Sequence, residues 1–228
     1  MLARTEPVLV GGLTPWRWMA SGHGVLPTMA KHRSVGLCCR MNRRWRTIRS
    51  ETLIKDRWIN LRTDHCVTPA GVEISPYYVL SYPDWVHVVA ITEAGCLVLV
   101  RQYRHGAGES FLELPGGTVD PADTSIEEAA RRELVEETGF TARRWEMVSS
   151  LHPNPATHTN RVHGLLALDA QCDRPQNLDL GEYGLTVEVL AIPVVLEGLR
   201  SGLLGHAVHV SLLLLALAAA GRLNLTVG

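Results

Sequence analysis

Three glutamates lie close together in one stretch of the chain, at Glu133, Glu136 and Glu137. On a helix these spacings of three and four residues place side chains on a shared face, so the carboxylates would crowd together. Like charges placed this way destabilise a bare helix by roughly 0.2–0.5 kcal/mol per pair. A divalent cation would remove the repulsion, and Mg²⁺ suits carboxylates and phosphates. An acidic run is also typical of a solvated helix face, so the spacing alone leaves both interpretations open.

The residues around these glutamates predict a short amphipathic helix. Thr124 and Glu127 match the capping box that begins many helices, and Gly139 suits the left-handed position just past a helix end. Apolar residues recur every four positions from Ile126 to Leu134. They give the helix one face that would pack against a core.

The longer stretch from Gly116 to Phe140 reads GGTVDPADTSIEEAARRELVEETGF. It resembles the Nudix box, GX5EX7REUXEEXGU, in which U is a bulky apolar residue. Two departures are present: Asp123 replaces the first glutamate, and eight residues rather than seven separate it from Arg132. The extra residue falls before the helix and leaves the REUXEEXGU half intact, so we expect the metal site to survive.

The resemblance implies roles for individual residues of the box. Glu133, Glu136 and Glu137 would hold Mg²⁺, or Mn²⁺ in its place, and Glu136 and Glu137 would also take part in catalysis. The backbone carbonyl of Gly116 would be a further metal ligand. Arg132 would orient the glutamates through salt bridges rather than contact the substrate.

Residues outside the box resemble those of ADP-ribose pyrophosphatases, and we interpret three of them as substrate-binding. Arg104 ends a QYR segment like the one whose arginine contacts the diphosphate in those enzymes, although a strand-end arginine is often only a surface residue. Glu113 lies shortly before the box. Pro155, sixteen residues after Gly139, matches the proline that marks this subset, or is an ordinary loop proline.

The resemblance leaves the catalytic base open. ADP-ribose hydrolases place a glutamate just before a late strand, as base or extra metal ligand, and Glu182 occupies that position. Glu188 lies within the predicted strand and competes for the role, as does a glutamate of the box. We interpret Glu182 as the catalytic residue of this segment.

The charge and composition of the chain limit the classes of partner that it is expected to bind. Residues 1–50 carry a net charge of +8 and residues 51–228 one of −9, and an acidic domain is a poor binder of nucleic acid. The apolar run at 212–220 is shorter than the roughly 18 residues that cross a bilayer, so no membrane partner is expected. The five cysteines form no CxxC pair, which favours a reduced, cytoplasmic setting.

The predicted elements indicate an α/β fold. The resemblance implies a Nudix-type α/β/α sandwich with a mixed β-sheet and an N-terminal antiparallel strand extension. We interpret residues 1–40 as disordered or as a misassigned upstream extension, and residues 41–228 as the hydrolase domain. Within it, the strands of residues 51–82 would form the contact of a homodimer.

The predicted strands cover residues 52–54, 59–67, 77–81, 85–92, 96–103, 111–114, 145–151, 161–168 and 185–192. Further helices are predicted at residues 194–201 and 206–221.

The function implied is Mg²⁺-dependent hydrolysis of the diphosphate bond in a small nucleoside diphosphate-linked substrate. ADP-ribose, cleaved to AMP and ribose 5-phosphate, is the expected substrate. Another nucleotide sugar or a dinucleotide is the first alternative. A catalytically silent domain that binds ADP-ribose and regulates a partner is a second, which the three intact glutamates disfavour.

Overall fold

The computed structural model describes residues 44–223, so the expectation for residues 1–40 lies outside the described part of the chain. Eleven strands and three α-helices occur in this part. The strands are β1 (Arg46–Lys55), β2 (Asn60–Val67), β3 (Glu73–Leu80), β4 (Trp85–Thr92), β5 (Cys96–Arg104), β6 (Glu109–Glu113), β7 (Gly116–Thr118), β8 (Phe140–Thr141), β9 (Arg144–Leu151), β10 (Val162–Cys172) and β11 (Thr186–Ala191). The helices are α1 (Ile126–Thr138), α2 (Ile192–Gly198) and α3 (Ala207–Ala219).

The first three strands form a separate antiparallel sheet in the order β1-β2-β3. β1 is much longer than the predicted 52–54 and is exposed along its whole length. Strand prediction depends on alternation between buried and exposed side chains. Because β1 buries neither face within the chain, most of its length carries no such signal.

The central sheet has the order β11-β5-β4-β10-β8, with β6 beside β5, β7 beside β4, and β9 beside β10. β4 and β10 run parallel, whereas their other neighbours are antiparallel. The sheet is therefore mixed, as predicted. Both strands of the parallel pair are apolar over most of their length, which suits strands covered on both faces.

Helices cover both faces of the central sheet. Val86 and Val88 of β4 pack in one core cluster with Ala130 and Leu134 of α1. The residue between those valines points the other way, and Val89 packs in a second cluster with apolar residues of α2 and α3. The predicted α/β/α sandwich is confirmed. No helix in residues 44–223 is long and apolar enough to cross a membrane.

The start of α1 differs from the prediction by one residue. The N-cap is Ser125, whose hydroxyl accepts the backbone N–H of Glu128 at 3.1 Å. The backbone N–H and the hydroxyl of Thr124 instead donate to the carboxylate of Glu128. The capping box predicted from Thr124 and Glu127 was thus wrong in register. The predicted end is confirmed, since Gly139 has a φ of 72° and donates to the Val135 carbonyl.

Candidate active site

Three carboxylates from two separate segments meet at one end of the central sheet. Glu133 and Glu137 lie one turn apart on α1, and Glu182 closes a short 3-10 turn, Leu180–Glu182, before β11. Each offers an oxygen atom within 4.8 Å of the other two. The Asp179 backbone N–H donates to Glu182 Oε2 at 2.8 Å and holds that side chain in its turn. The predicted catalytic glutamate is therefore brought to the helix despite its distance along the chain.

The chain bends at Pro115 and enters β7 with Gly116 and Gly117, and this glycine turn closes one side of the cluster. The Gly116 N–H donates to Glu137 Oε2 at 2.7 Å. A Cβ on Gly116 would overlap the carbonyl oxygen of Val86, and one on Gly117 would lie 2.6 Å from Glu133 Oε1. Glycine is therefore needed at Gly116 for close packing on β4, and at Gly117 for close approach to the Glu133 carboxylate.

Arg132 binds the remaining charged groups of the box. Its Nη1 donates to Glu133 Oε1 at 2.9 Å and to Glu136 Oε2 at 3.0 Å. Its Nε and Nη2 donate to the two carboxylate oxygens of Asp123, at 3.1 and 2.9 Å. The guanidinium lowers the pKa of Asp123, and the carboxylates raise the pKa of Arg132.

The contacts of Arg132 can be compared with the roles predicted for Arg132 and Glu136. The salt bridges predicted between Arg132 and the glutamates are present. Glu136, predicted as a metal ligand, is only partly buried and is held by Arg132. The three carboxylates that converge are those of Glu133, Glu137 and Glu182.

Burial makes the carboxylate cluster chemically unusual. Glu133 is 7% exposed and Glu137 is 3% exposed. Burial raises the pKa of Glu133 to about 7 and that of Glu137 to about 8, and their neighbours' negative charges add to the shift. Buried acids that repel one another take up protons or bind a cation. Oxygen ligands of this kind fit Mg²⁺ or another hard divalent ion, so the residues present suit the expected metal.

Arg104 and Glu113 form an ion pair beside the cluster. The Arg104 Nε lies 3.1 Å from Glu113 Oε2, and a second guanidinium nitrogen donates to the same oxygen. Glu113 is 1% exposed, whereas the Arg104 side chain is 43% exposed. The structure therefore places Glu113 as the buried partner of Arg104, and Arg104 as the more accessible group of the two.

The other predicted residues lie in different surroundings. Pro155 is exposed in the loop between β9 and β10, which binds β3 through hydrogen bonds between Leu80 and the backbone of Thr157 and Thr159. Glu188, the alternative to Glu182, pairs instead with Arg101 on β5 at 2.5 Å. Of the two, Glu182 is the one that the structure brings to the box.

A cavity of about 260 Å³ opens beside the glycine turn. Its walls include Trp85, His87, Arg104, Gly116, His206 and His209. Sequence reasoning missed the three histidines, which come from β4 and the start of α3. The available signal was His206 and His209 at a spacing of three on the edge of an apolar helix, a spacing that shares one face.

Comparison with known protein families finds two adjoining matches. Residues 45–80 match the nucleoside diphosphate sugar hydrolase N-terminal domain, which covers the separate three-stranded sheet. Residues 82–182 match the NUDIX domain, which ends at the third carboxylate of the cluster.

Comparison with individual proteins gives the same picture. The chain is 28% identical to an ADP-ribose pyrophosphatase of Bacillus subtilis, over 63% of this chain and 77% of that protein. It is 36% identical to an ADP-ribose pyrophosphatase of Mycobacterium tuberculosis, but spans only 58% of that protein's length and 53% of its own. The crystal structure of an ADP compounds hydrolase superposes with a TM-score of 0.68 at 26% identity, covering 78% of this chain and 97% of that one.

Proposed function

The chain carries a NUDIX domain over residues 82–182, and from that premise we propose that it hydrolyses the diphosphate bond of ADP-sugars, ADP-ribose above all. One water would be consumed, and ADP-ribose would yield AMP and ribose 5-phosphate. The observation that carries the proposal is the convergence of Glu133, Glu137 and Glu182. They meet beside a glycine turn and a cavity that Arg104 helps to line. The names of the two pyrophosphatases and of the superposed hydrolase support ADP compounds as the substrate class.

The proposed roles follow from position and charge. Mg²⁺, when bound, would neutralise charge on the phosphate oxygens and make a coordinated water easier to deprotonate. Glu133 and Glu137 would hold it, with the Gly116 carbonyl as a further ligand, because they form the buried part of the site. Glu182 would accept the proton of the attacking water, since it is the more accessible carboxylate of the cluster.

Two arginines would act in different ways. Arg104 would contact the diphosphate, because its side chain is partly exposed at the cavity while Glu113 holds it from the buried side. Arg132 would position Glu136 and Glu133, since its donors are taken up by carboxylates and the Thr118 carbonyl. Glu136 shares the Nη1 group of Arg132 with Glu133 and would join the metal ligands if its carboxylate moved away from Arg132.

We also propose a cytoplasmic homodimer formed through the N-terminal sheet. β1 is an edge strand, and large apolar side chains of it, among them Ile48, Leu53 and Ile54, are about half exposed. An edge strand with an apolar surface is a template for pairing with another chain. The molar mass in solution, measured by light scattering for the protein and for an Ile48→Lys, Ile54→Lys variant, tests this.

The function is tested by product analysis on a panel of ADP-ribose, other nucleotide sugars, NADH and nucleoside triphosphates. Each is incubated with and without Mg²⁺, and AMP and sugar phosphate are quantified. AMP released chiefly from ADP-ribose, and only with the metal, is the expected result. Preference for another nucleotide sugar or a dinucleotide would replace the substrate but keep the reaction. Tight ADP-ribose binding without turnover of any compound would refute the proposed enzyme activity.

A further inference from the structure

The histidines of the cavity form a close array. The ring of His209 packs against those of His87 and His206, with centroid distances of 4.2 and 4.4 Å and interplanar angles of 47° and 37°. The nitrogen atoms on the ring edges are the groups that this array can offer to a ligand.

The hydrogen bonds of two of these histidines determine which nitrogen carries the proton. His209 Nδ1 accepts the Leu114 N–H at 2.9 Å, and His206 Nδ1 accepts the Val208 N–H at 3.2 Å. A neutral imidazole has one acceptor nitrogen and one N–H donor. Burial lowers the pKa of both rings, which keeps them neutral. Each therefore has its proton on Nε2 and acts as a donor there.

The third histidine has an unused nitrogen. His87 Nδ1 is buried and has no hydrogen-bond partner among the residues that the structure describes. It is close to the glycine turn, since a Cβ on Gly116 would lie 2.7 Å from it. This nitrogen is enclosed by the protein, so a ligand in the cavity does not reach it. His87 therefore contributes to the array by packing against His209 rather than by binding.

The charge and size of the cavity limit the kind of ligand. Arg104, which also lines the cavity, is assigned to the diphosphate. The other donors of the wall, His206 and His209, are neutral because each Nδ1 accepts a backbone N–H, so they suit neutral hydroxyl groups. At about 260 Å³ the cavity is smaller than the roughly 300–1,000 Å³ of sites that enclose a whole drug-sized ligand. It has room for one part of the substrate.

We propose that this cavity binds the sugar of a nucleoside diphosphate sugar through the histidine array. His206 and His209 donate their Nε2 hydrogens to hydroxyl oxygens of the sugar, and His87 supports the array by packing against His209. The glycine turn at Gly116 then separates the sugar from the carboxylates that act on the diphosphate. This assignment rests on the proposed hydrolysis of nucleotide sugars and names the residues that select the sugar.

A variant of His206 can separate its contact with substrate from its role in the fold. The His206 ring also caps α3, and asparagine is among the best capping residues. His206→Asn therefore keeps the cap but cannot reach as far into the cavity. His206→Gln restores an N–H donor at greater reach. His65→Asn is the matched control, since His65 is a partly buried histidine of the N-terminal sheet.

The readout is kcat/KM for ADP-ribose divided by kcat/KM for the methyl ester of ADP, which has the same nucleoside and diphosphate but no sugar. Loss of one hydrogen bond to a hydroxyl lowers this ratio by about 3- to 10-fold in His206→Asn. His206→Gln recovers part of the loss, and His65→Asn leaves the ratio as it was. An equal fall on both compounds, or no change in the ratio, overturns the sugar assignment.

A second measurement decides the sugar assignment even without turnover. In proton–nitrogen NMR spectra of the histidine side chains, ADP-ribose shifts the Nε2 signals of His206 and His209, and the methyl ester of ADP does not. Equal shifts with both compounds, or none with either, overturn the assignment. A protein that hydrolyses no nucleotide sugar yet shows the selective shift would refute the proposed reaction and keep the sugar site.

Discussion

The two faces of the central sheet bury ionisable side chains of opposite kinds. On the side of α1, the buried groups are the carboxylic acids Glu133 and Glu137, which belong to that helix. On the side of α3, they are the imidazoles His209, from that helix, and His87, from β4. Burial disfavours the charged form of each, so it raises the pKa of the acids and lowers that of the histidines. The acids converge within reach of one cation, whereas the histidines stack on one another. One face is therefore built for a charge, and the other for neutral hydrogen bonding.

The largest expected effect is on the acidic face. We predict that Glu137→Gln lowers kcat for ADP-ribose roughly 10²- to 10⁴-fold, because the metal loses a buried ligand. Glutamine can still accept the Gly116 N–H, so the fold is kept. The measurement is steady-state turnover with saturating Mg²⁺.

Glu127→Gln is the matched control on the same helix. Glu127 is exposed and pairs with Arg131, so its turnover should change by about twofold at most. Full activity in Glu137→Gln, or a comparable loss in Glu127→Gln, would contradict the metal site on this face.

The acidic face should also make the metal-free protein less stable as the pH rises. The folded-state pKa values of Glu133 and Glu137, about 7 and 8, lie above the ordinary value of 4.5. The folded state therefore binds more protons than the unfolded state between these limits, and the free energy of unfolding falls as pH increases. We expect a loss of a few kcal/mol between pH 5 and pH 8.5, measured by urea unfolding in EDTA.

Adding Mg²⁺ and testing the Glu137→Gln variant show whether these carboxylates cause the pH dependence of the free energy of unfolding. Mg²⁺ should restore stability mainly at the higher pH, where the carboxylates are ionised. Glu137→Gln should flatten the pH dependence in EDTA. An unchanged slope in the variant would show that other groups cause it.

The histidine face should show the opposite pH dependence. The pKa of His87 is lowered to about 3 from 6.5, so the unfolded state binds more protons between these values. Stability should therefore rise with pH in this window. We expect His87→Phe to reduce that rise when it is measured in the Glu137→Gln background, where the opposing slope is weaker. If stability rose with pH as steeply in the double variant as in Glu137→Gln alone, the conclusion that His87 is buried in its neutral form would be contradicted.

The smallest predicted effect concerns how the two long helices begin. α1 is capped by the Ser125 hydroxyl and α3 by the His206 ring. We expect Ser125→Ala to lower the free energy of unfolding by about 1 kcal/mol through loss of the cap. Thr124→Ala should cost less, because the backbone N–H of Thr124 still donates to Glu128. Thermal unfolding of both variants checks this, and the reverse order would restore the cap predicted from sequence.

The acidic face was predictable because its main residues lie within one helix. Glu133 and Glu137 are spaced as on one face of a helix, and the surrounding stretch resembles the Nudix box, in which both positions are glutamates. Even Glu182, which comes from a distant turn, was found through its resemblance to a known pattern. The longer strands of the central sheet were also predicted, since their buried runs are continuous, whereas the three- and two-residue strands β7 and β8 were missed.

The histidine face was not predictable by the same reasoning. His87 lies on β4, and His206 and His209 lie far along the chain on α3, so their stacking exists only in the tertiary structure. The spacing of three joins His206 to His209, but no local spacing joins either of them to His87. β1 was underestimated for a different reason, because its exposed side chains show no buried face. The shift of the α1 cap by one residue came from two adjacent hydroxyl residues, Thr124 and Ser125, that are equally suited to the role.

The ion pair between Arg132 and Asp123 implies that the segment ahead of α1 can vary in length without displacing α1. Aspartate has one methylene fewer than the glutamate of the Nudix box, and in this segment, which is one residue longer, its carboxylate binds both Nε and Nη2 of Arg132. Lengthening a flexible loop by one residue costs only a few tenths of a kcal/mol. Libraries that insert residues between Val119 and Asp123 should therefore retain function more often than those that alter α1 itself.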